Sequence, residues 1–235
     1  MRQYAVGLFL FFISFSLFAT DLQLTKTSTF VNPSDITLEL LPPPSADGSP
    51  EQKRDIDILM WEIASRTIYD EQRAWGSVTL TPSYFNEAIN ARFEESRYPK
   101  LYQLMKTVAD DAYIYINAFK THYKSPRPYQ DDPSIKPILP IEESYAYPSG
   151  HATRGMTMAL VFAEIFPQKR EQLIKVGYGL GQDRVIGGVH YPSDIEASVV
   201  LAQALAKSII KSDAFKTQIK VAQQEIDHIA SMQKN

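Results

Sequence analysis

The chain has 235 residues, of which 44% are hydrophobic and 11% aromatic, so it is long and apolar enough to bury one sizeable core. Charged residues make up 22% and the net charge is −3, which gives no indication of a nucleic-acid polymer as a partner. The absence of cysteine excludes disulfide bonds, a cysteine nucleophile and a thiolate metal site. We therefore expect one domain that acts on, or binds, a small molecule.

The first 19 residues differ in composition from the rest. Arg2 provides a positive start, residues 5–19 form an apolar run, and Ala19 is a small residue suited to cleavage before Thr20. This pattern predicts a signal peptide over residues 1–19 and therefore export. The run of 15 residues is shorter than the roughly 20 that span a bilayer, so we expect no membrane association after cleavage.

Residues 20–50 are predicted to form an extended, proline-rich N-terminal arm. Pro42, Pro43 and Pro44 are consecutive, and consecutive prolines favour an extended, left-handed backbone. The composition leaves two alternatives open, an arm that lies over the body or a flexible leader. The remaining residues, 51–235, are predicted to form one helical domain.

Hydrophobic residues in that domain recur at steps of three and four, which predicts helices. The first helix begins at Glu51, and a short second helix is predicted over residues 86–93. The apolar face of the first helix would carry Ile56, Leu59, Met60 and Ile63. A longer stripe extends from Tyr98 to Phe119 and ends beside Lys120; its members are Leu101, Leu104, Met105, Val108, Ala112, Tyr115, Ile116 and Phe119.

Six prolines between residues 125 and 148 predict a long loop, because neither a helix interior nor a central strand tolerates this density. Loops of this length usually have a functional role. After the loop, Ser149 is suited to cap a helix that extends to about Ile165. Pro167 then begins another helix, and Pro192 fits the first position of the next.

The chain closes with an amphipathic helix predicted over residues 214–231. No alternating strand pattern is present, so the predicted fold is all-α, a single-domain helical bundle or globule. Gly177, Gly179 and Gly181 lack the strand and turn that precede a nucleotide-binding loop, and we interpret them as small residues at a contact between helices.

Three separated clusters of residues carry the candidate chemistry. Fixed cations can neutralise the oxygens of a phosphate ester without a metal, and backbone N–H groups at a helix start can bind the same anion. Arginine presents a planar fork to two oxygens, and lysine adds a point charge. The clusters are Lys120 with Arg127, then Ser149, Gly150 and His151, and then Arg184, His190 and Asp194. They predict a phosphoryl-transfer site with no metal or cofactor.

With cysteine absent, the candidate nucleophiles are Ser149, His151 and His190. Asp194 follows His190 by four residues, so it can accept a hydrogen bond from one ring nitrogen and leave the other neutral and directed. We interpret His190 as a nucleophile that forms a phosphohistidine and His151 as the general acid and base.

This mechanism requires one neutral imidazole, His190, and one protonated imidazole, His151. We expect His151 and His190 to have pKa values near the ordinary value of about 6.5, which predicts an acidic to mildly acidic optimum. The other two histidines, His122 and His228, are expected at the surface.

The three clusters resemble the three-part signature of the type 2 phosphatidic acid phosphatase and vanadium haloperoxidase superfamily. Within it, the chain resembles the bacterial class A non-specific acid phosphatases, from about Leu40 to the C-terminal helix. Further support comes from Leu41 to Pro44 and from residues 177–182. The matching pattern is Lys120-x6-Arg127-Pro128, Pro148-Ser149-Gly150-His151 and Arg184-x5-His190-x3-Asp194.

The resemblance implies an all-helical fold, a periplasmic location and hydrolysis of many small phosphate monoesters without a metal. It also implies inhibition by vanadate. Its phosphate-binding positions would be Lys120, Arg127, Ser149, Gly150 and Arg184, with His151 as acid, His190 as nucleophile and Asp194 as the partner of His190. The oligomeric state is left open, a homo-oligomer included.

One position departs from the family. Asp183 stands before Arg184, where the family usually has serine, and a carboxylate that entered the pocket would repel a phosphate dianion. Adjacent helix positions point about 100° apart, so we expect Asp183 to face away from the pocket.

Four alternatives were weighed against hydrolysis. A haloperoxidase-like oxidoreductase could use the same pocket to hold vanadate, and a phosphotransferase could pass the phosphoryl group to a nucleoside or sugar. A lipid phosphatase embedded in the membrane would need several long apolar spans, which are missing after residue 19. A phosphate-binding protein with a dead site is disfavoured, because both histidines and Asp194 are present.

Overall fold

The computed structural model describes residues 22–232, and the predicted signal peptide at residues 1–19 lies outside them. The described residues form helices and no β-strand, which confirms the all-α class. No helix in this range has the length and apolar character needed to cross a membrane. The α-helices are α1 (Pro50–Ser65), α2 (Ile68–Gly76), α3 (Asn86–Ile89), α4 (Pro99–Tyr123), α5 (Pro128–Asp131), α6 (Gly150–Ile165), α7 (Arg170–Ile186), α8 (Pro192–Lys211) and α9 (Asp213–Met232).

Helix α4 lies in the core, and α6, α8 and α9 pack against it. Every residue of its predicted apolar stripe is buried. Helix α7 packs on α6, where glycines allow a close approach: a Cβ on Gly177 would lie 3.2 Å from the Met156 backbone, and one on Gly181 would lie 3.3 Å from Ala152 Cβ of α6 and 2.6 Å from Ile195 Cγ2 of α8. The interpretation of these two glycines is confirmed, whereas a Cβ on Gly179 would meet nothing within 4 Å.

Residues 22–49 lie against the helical body. The Asp111 carboxylate on α4 accepts hydrogen bonds from the backbone N–H groups of Thr29, Phe30 and Val31 at 2.7, 2.6 and 3.4 Å. Short 3-10 helices at Pro33–Asp35 and Leu38–Leu40 interrupt the extended backbone. Four apolar side chains of the segment are buried, Phe30, Val31, Ile36 and Leu41.

Several helix boundaries agree with the sequence. Helix α6 begins directly after Ser149, whose Oγ accepts a hydrogen bond from the Ala152 N–H at 3.4 Å, and it ends at Ile165 as predicted. Helix α8 begins at Pro192. Pro167 begins a 3-10 turn that leads directly into α7.

Two expectations about the helices were wrong, and one helix was missed. Met60 is 40% exposed, because α1 buries Leu59 while Met60 points off its packed edge. Helix α3 ends at Ile89 rather than near Phe93, because Asn90 adopts a left-handed conformation that terminates the helix. Helix α2 was not predicted, since it has no apolar stripe and only Ala74 among its residues is buried.

Candidate active site

The predicted site residues come from five parts of the fold, and direct hydrogen bonds join Arg127, His190, Asp194 and Ser149. Arg127 Nη1 lies 3.0 Å from His190 Nε2, and His190 Nδ1 lies 2.9 Å from Asp194 Oδ2. The Ser149 N–H donates to the Asp194 carbonyl at 3.4 Å, which joins the start of α6 to the start of α8. Lys120 of the last turn of α4, His151 of α6 and Arg184 of α7 lie close enough for their charges to lower the pKa of His190, so five parts of the fold meet around this ring.

His190 is almost fully buried in the turn between α7 and α8. Because a guanidinium can only donate, the hydrogen bond from Arg127 identifies Nε2 as the unprotonated ring nitrogen. Nδ1 then carries the proton and donates it to Asp194, which also accepts from the Tyr191 N–H at 3.0 Å. The imidazole is held in one tautomer and one orientation.

Burial drives His190 and Asp194 towards their neutral forms. Burial and the cations of Arg127 and Lys120 hold the pKa of His190 well below its ordinary value. Burial raises the pKa of Asp194, although the Tyr191 N–H and Lys120 act in the opposite direction. The expectation that His190 has an ordinary pKa was wrong, because it assumed solvent around the ring.

Arg127 is completely buried and its guanidinium is fully engaged. Nε donates to the Ser144 carbonyl at 2.9 Å, and Nη1 donates to the Val189 carbonyl at 3.0 Å as well as to His190. Nη2 donates to Glu142 Oε2 at 2.7 Å and to Ser144 Oγ at 2.9 Å. These bonds hold the plane of the guanidinium against the His190 ring.

Lys120 lies in the last turn of α4 and is also buried. Its Nζ donates to the carbonyls of Tyr145 and Ala146, the latter at 3.0 Å. Burial and the neighbouring Arg127 lower the pKa of Lys120 to about 7. An anion bound nearby would favour the charged ammonium and raise this pKa.

Arg184 is held by the unpredicted helix α2. Its Nη2 donates to the Ala74 carbonyl at 2.9 Å and to Ser77 Oγ. Its Nε is buried with no hydrogen-bond partner among the residues that the structure describes, so one N–H of this guanidinium remains to be satisfied. Burial lowers the pKa of Arg184, although Asp183 acts against it.

Asp183 is buried, and its Oδ1 pairs with Arg73 Nε of α2 at 2.7 Å. Its charge is therefore matched by a residue on another helix rather than by a hydrogen bond to Arg184. Arg73 also pairs with Asp70 at 2.9 Å, which ties both ion pairs to the first turns of α2.

His151 occupies the first turn of α6, and its Nε2 lies 3.0 Å from the Val78 carbonyl. A carbonyl only accepts, so Nε2 carries a proton. Burial and the Arg184 guanidinium lower the pKa of His151 to about 4. The expected value near 6.5 was wrong here too, because the ring is enclosed and lies close to a fixed cation.

Ser149 and Gly150 form the start of α6 beside these groups. Ser149 is fully buried and its hydroxyl caps the helix. A Cβ on Gly150 would meet only Ile116 Cγ2, at 3.9 Å, so the protein leaves free space over this backbone.

The two histidines assigned to the surface, His122 and His228, are exposed. Among residues 22–232 there is no group of three or more histidine or carboxylate side chains arranged to hold a metal ion.

Two sets of residues that shape the site were not predicted from the sequence. Arg73, Ala74, Ser77 and Val78 contact the third and second clusters from the end of α2 and the turn after it. Glu142 and Ser144 contact Arg127 from the proline loop. The proline density was a signal that the loop is functional, but nothing in it singled out these two residues.

The comparisons with known proteins agree with the pattern of the site. Residues 104–217, which include all eight predicted site residues, match the model of the PAP2 superfamily. A non-specific acid phosphatase of Providencia stuartii is 28% identical over 91% of this chain and 93% of its own length. An acid phosphatase of Zymomonas mobilis is 26% identical over 86% of this chain and 79% of its own length.

A solved structure shares the fold. The first transmembrane PAP2 type phosphatidylglycerolphosphate phosphatase from Bacillus subtilis superposes with a TM-score of 0.55 at 18% identity, over 70% of this chain and 86% of that chain. Residues 104–217 of the chain form a PAP2 superfamily domain. Within that superfamily it is an enzyme of the acid phosphatase type, which confirms the resemblance drawn from its motifs.

Proposed function

We propose that this enzyme hydrolyses small phosphate monoesters without a metal, through a phosphohistidine at His190. The observation that carries the proposal is the His190 ring itself. Its Nδ1–H is fixed by Asp194 at 2.9 Å, and its unprotonated Nε2 faces the Arg127 guanidinium, which can bind phosphate oxygens. A neutral nitrogen with a lone pair beside a buried cation is a nucleophile placed next to an anion site.

In the first step, His190 Nε2 gives up the hydrogen bond that it accepts from Arg127 Nη1, and its lone pair attacks phosphorus to form a nitrogen–phosphorus bond. The phosphorus–oxygen bond to the leaving group breaks, and the leaving oxygen takes a proton from the His151 imidazolium. The positive charges of Lys120, Arg127 and Arg184 stabilise the phosphoryl oxygens as this bond breaks. The unpaired Nε–H of Arg184 is available as one donor to these oxygens.

In the second step, a water attacks phosphorus and gives a proton to the now neutral His151. The phosphorus–nitrogen bond breaks, His190 regains its lone pair, and inorganic phosphate leaves. Gly150 and the following N–H groups of α6 would bind the same anion at the helix start. Asp194 keeps the His190 ring oriented through both steps.

The depressed pKa of His151 fits this cycle once the substrate is considered. A phosphate dianion beside the ring would favour the imidazolium and raise the pKa from about 4 towards the working pH. Binding of the substrate would therefore cause His151 to take up the proton that it later donates to the leaving group.

The relative from Providencia stuartii is described as a non-specific acid phosphatase, which supports a broad range of monoester substrates. The predicted signal peptide supports a periplasmic location. Vanadate should inhibit the enzyme, because it can adopt at His190 the trigonal bipyramidal geometry that phosphorus passes through during the transfer. The acidic net charge gives no support to a nucleic-acid polymer as a substrate.

The function is tested by the hydrolysis of p-nitrophenyl phosphate and of glycerol phosphate in the presence of a chelator. Wild type should be active, and His190→Ala should lose activity by at least about a thousandfold on both esters. His151→Ala should lose about a hundredfold or more on glycerol phosphate, and much less on p-nitrophenyl phosphate, whose leaving group needs no proton.

His228→Ala is the matched control, because it removes an exposed imidazole from α9. It should leave both activities unchanged. Equal losses of activity on the two esters in His151→Ala would show that His151 is not the general acid. Activity retained in His190→Ala would show that His190 is not the nucleophile.

A further inference from the structure

The carboxylate of Glu142 already binds the arginine that is expected to bind phosphate. Its Oε2 accepts from Arg127 Nη2 at 2.7 Å and from Ser144 Oγ at 3.2 Å. The Arg127 side chain is 1% exposed and the Glu142 side chain 39% exposed, so the carboxylate reaches from the rim to a buried cation.

Glu142 interacts electrostatically with the other positive groups of the site as well. Its charge favours the protonated forms of Lys120, His151 and Arg184. Although partial burial acts in the opposite direction, Arg127 and His151 lower the pKa of Glu142, which keeps it ionised. One negative charge therefore lies among the four groups that would surround a phosphate: Lys120, Arg127, His151 and Arg184.

Hydrogen bonds fix the position of both the backbone and the side chain of Glu142. The hydroxyl of Tyr129, from α5, donates to the Glu142 carbonyl at 2.9 Å, and the Glu142 N–H donates back to that hydroxyl at 3.3 Å. Ser144 contacts both partners of the ion pair, because its Oγ also accepts from Arg127 Nη2 at 2.9 Å. Backbone and side chain are each held by two hydrogen bonds.

We propose that Glu142 is an internal competitor for the phosphate site and sets its affinity for substrate and product. A carboxylate and a phosphate oxygen use the same arginine fork, and two anions in contact repel, so a phosphate ester must displace Glu142 from Arg127. The inference rests on the proposed function, since it concerns the same site. Its consequence is a weaker hold on inorganic phosphate, which favours release of the product.

The test is the binding of inorganic phosphate by calorimetry, together with the KM for p-nitrophenyl phosphate. Glu142→Gln keeps the size of the side chain and removes its charge, so the Kd of phosphate and the KM should each fall about fivefold. The control is Glu143→Gln, which removes the same charge from the next, exposed residue and should leave both constants unchanged.

Weaker phosphate binding or an unchanged Kd in Glu142→Gln would overturn the proposal; weaker binding would show that Glu142 instead positions Arg127. Glu142→Asp is the second variant, because its shorter carboxylate retains the charge and falls short of Arg127. It should also tighten phosphate binding, and its thermal midpoint shows whether the loop still folds.

The two proposals fail separately. Phosphate binding that tightens in Glu142→Gln, in a protein that hydrolyses no ester, would end the proposed hydrolysis and leave the competitor in place. Hydrolysis through His190 with an unchanged phosphate Kd in Glu142→Gln would do the reverse.

Discussion

At the scale of single residues, Gly150 is a position where the needs of the fold and of the ligand can be told apart. Helix α6 needs no glycine at this position for its own packing, since a Cβ there would lie 3.9 Å from Ile116 Cγ2 and touch nothing else. The free space over this backbone is where a phosphate oxygen would approach the helix start. A methyl group at position 150 would then be compatible with folding but would occupy the space that a phosphate oxygen needs.

We therefore expect Gly150→Ala to raise the KM for p-nitrophenyl phosphate and the Kd of inorganic phosphate by about tenfold. Its thermal midpoint should be equal to or above that of wild type, because alanine favours the helix. Gly179→Ala is the control, since a Cβ there also meets no atom, and it lies on α7 away from the start of α6. A KM in Gly150→Ala that matches this control would contradict the phosphate position.

Asp183 shows how a departure from a family pattern can be absorbed by the fold. A buried carboxylate beside a phosphate site would be costly if it were unpaired. Arg73 Nε of α2 pairs with Asp183 Oδ1 at 2.7 Å and also pairs with Asp70, whereas Asp183 Oδ2 is buried with no hydrogen-bond partner among the residues that the structure describes. Arg184 consequently keeps its own guanidinium for Ala74, Ser77 and a ligand.

At the scale of elements, one carboxylate attaches residues 22–49 to the helical body. Asp111 on α4 accepts from three successive backbone N–H groups, and it is 2% exposed. The attached segment continues to Pro42, whose carbonyl accepts from the Tyr147 hydroxyl at 2.7 Å. Tyr147 immediately precedes the Pro148-Ser149 step, so this tether reaches the start of α6.

Asp111→Ala should lower the free energy of unfolding by about 2 to 3 kcal/mol, because it leaves buried N–H groups without an acceptor. Protease should cut the chain within residues 22–49 sooner in the variant, and the KM should change little. The control is Asp110→Ala, the neighbouring exposed carboxylate on the same helix. Equal stability of the two variants, by chemical denaturation, would show that the tether contributes nothing.

Helix α2 is the element that sequence reasoning could not supply. Its exposed Ile68, Tyr69 and Trp75 break the apolar periodicity on which helix prediction depends. Its role is to present Arg73, the Ala74 carbonyl and Ser77 to the end of α7. These are contacts across 107 to 110 residues, which no local pattern encodes.

At the scale of the whole molecule, the site is a set of cations enclosed by the bundle. Burial, rather than any one neighbour, is the first cause of the lowered pKa values of Lys120, His151, Arg184 and His190. The charges on Lys120, His151 and Arg184 are costly to bury until an anion binds, so binding of a phosphate should favour the protonated forms of Lys120 and His151.

The pH dependence follows from that linkage. In the free enzyme the imidazolium of His151 is lost as pH rises through about 4, whereas a bound dianion should move this loss to higher pH. The fall of kcat with rising pH should therefore lie at higher pH than the fall of kcat/KM. Profiles for glycerol phosphate, whose leaving oxygen needs a proton, would measure both from acid to neutral pH, and coincident inflections, or rates that keep rising into alkali, would refute the linkage.

Local features of the sequence were sufficient for much of the fold and for part of the site. The stripe of α4, the cap at Ser149 and the spacing of His190 and Asp194 are short-range patterns, and each appears in the structure. The pKa values and the partners of Arg127 depend on which surfaces the bundle encloses. Glu142 was therefore not identified, although it lies within the predicted functional loop.

The central claim is that the phosphoryl group is carried by one nitrogen of His190. The direct measurement is to mix the enzyme with excess p-nitrophenyl phosphate, whose leaving group needs no proton from His151, quench in alkali, in which phosphohistidine survives, and locate the added phosphate by mass spectrometry of the peptides. We predict one phosphate on His190 in wild type, accumulation of it in His151→Ala, and none in His190→Ala. Phosphate found on Ser149 or His151 instead, or turnover with no labelled peptide at any time, would contradict the account.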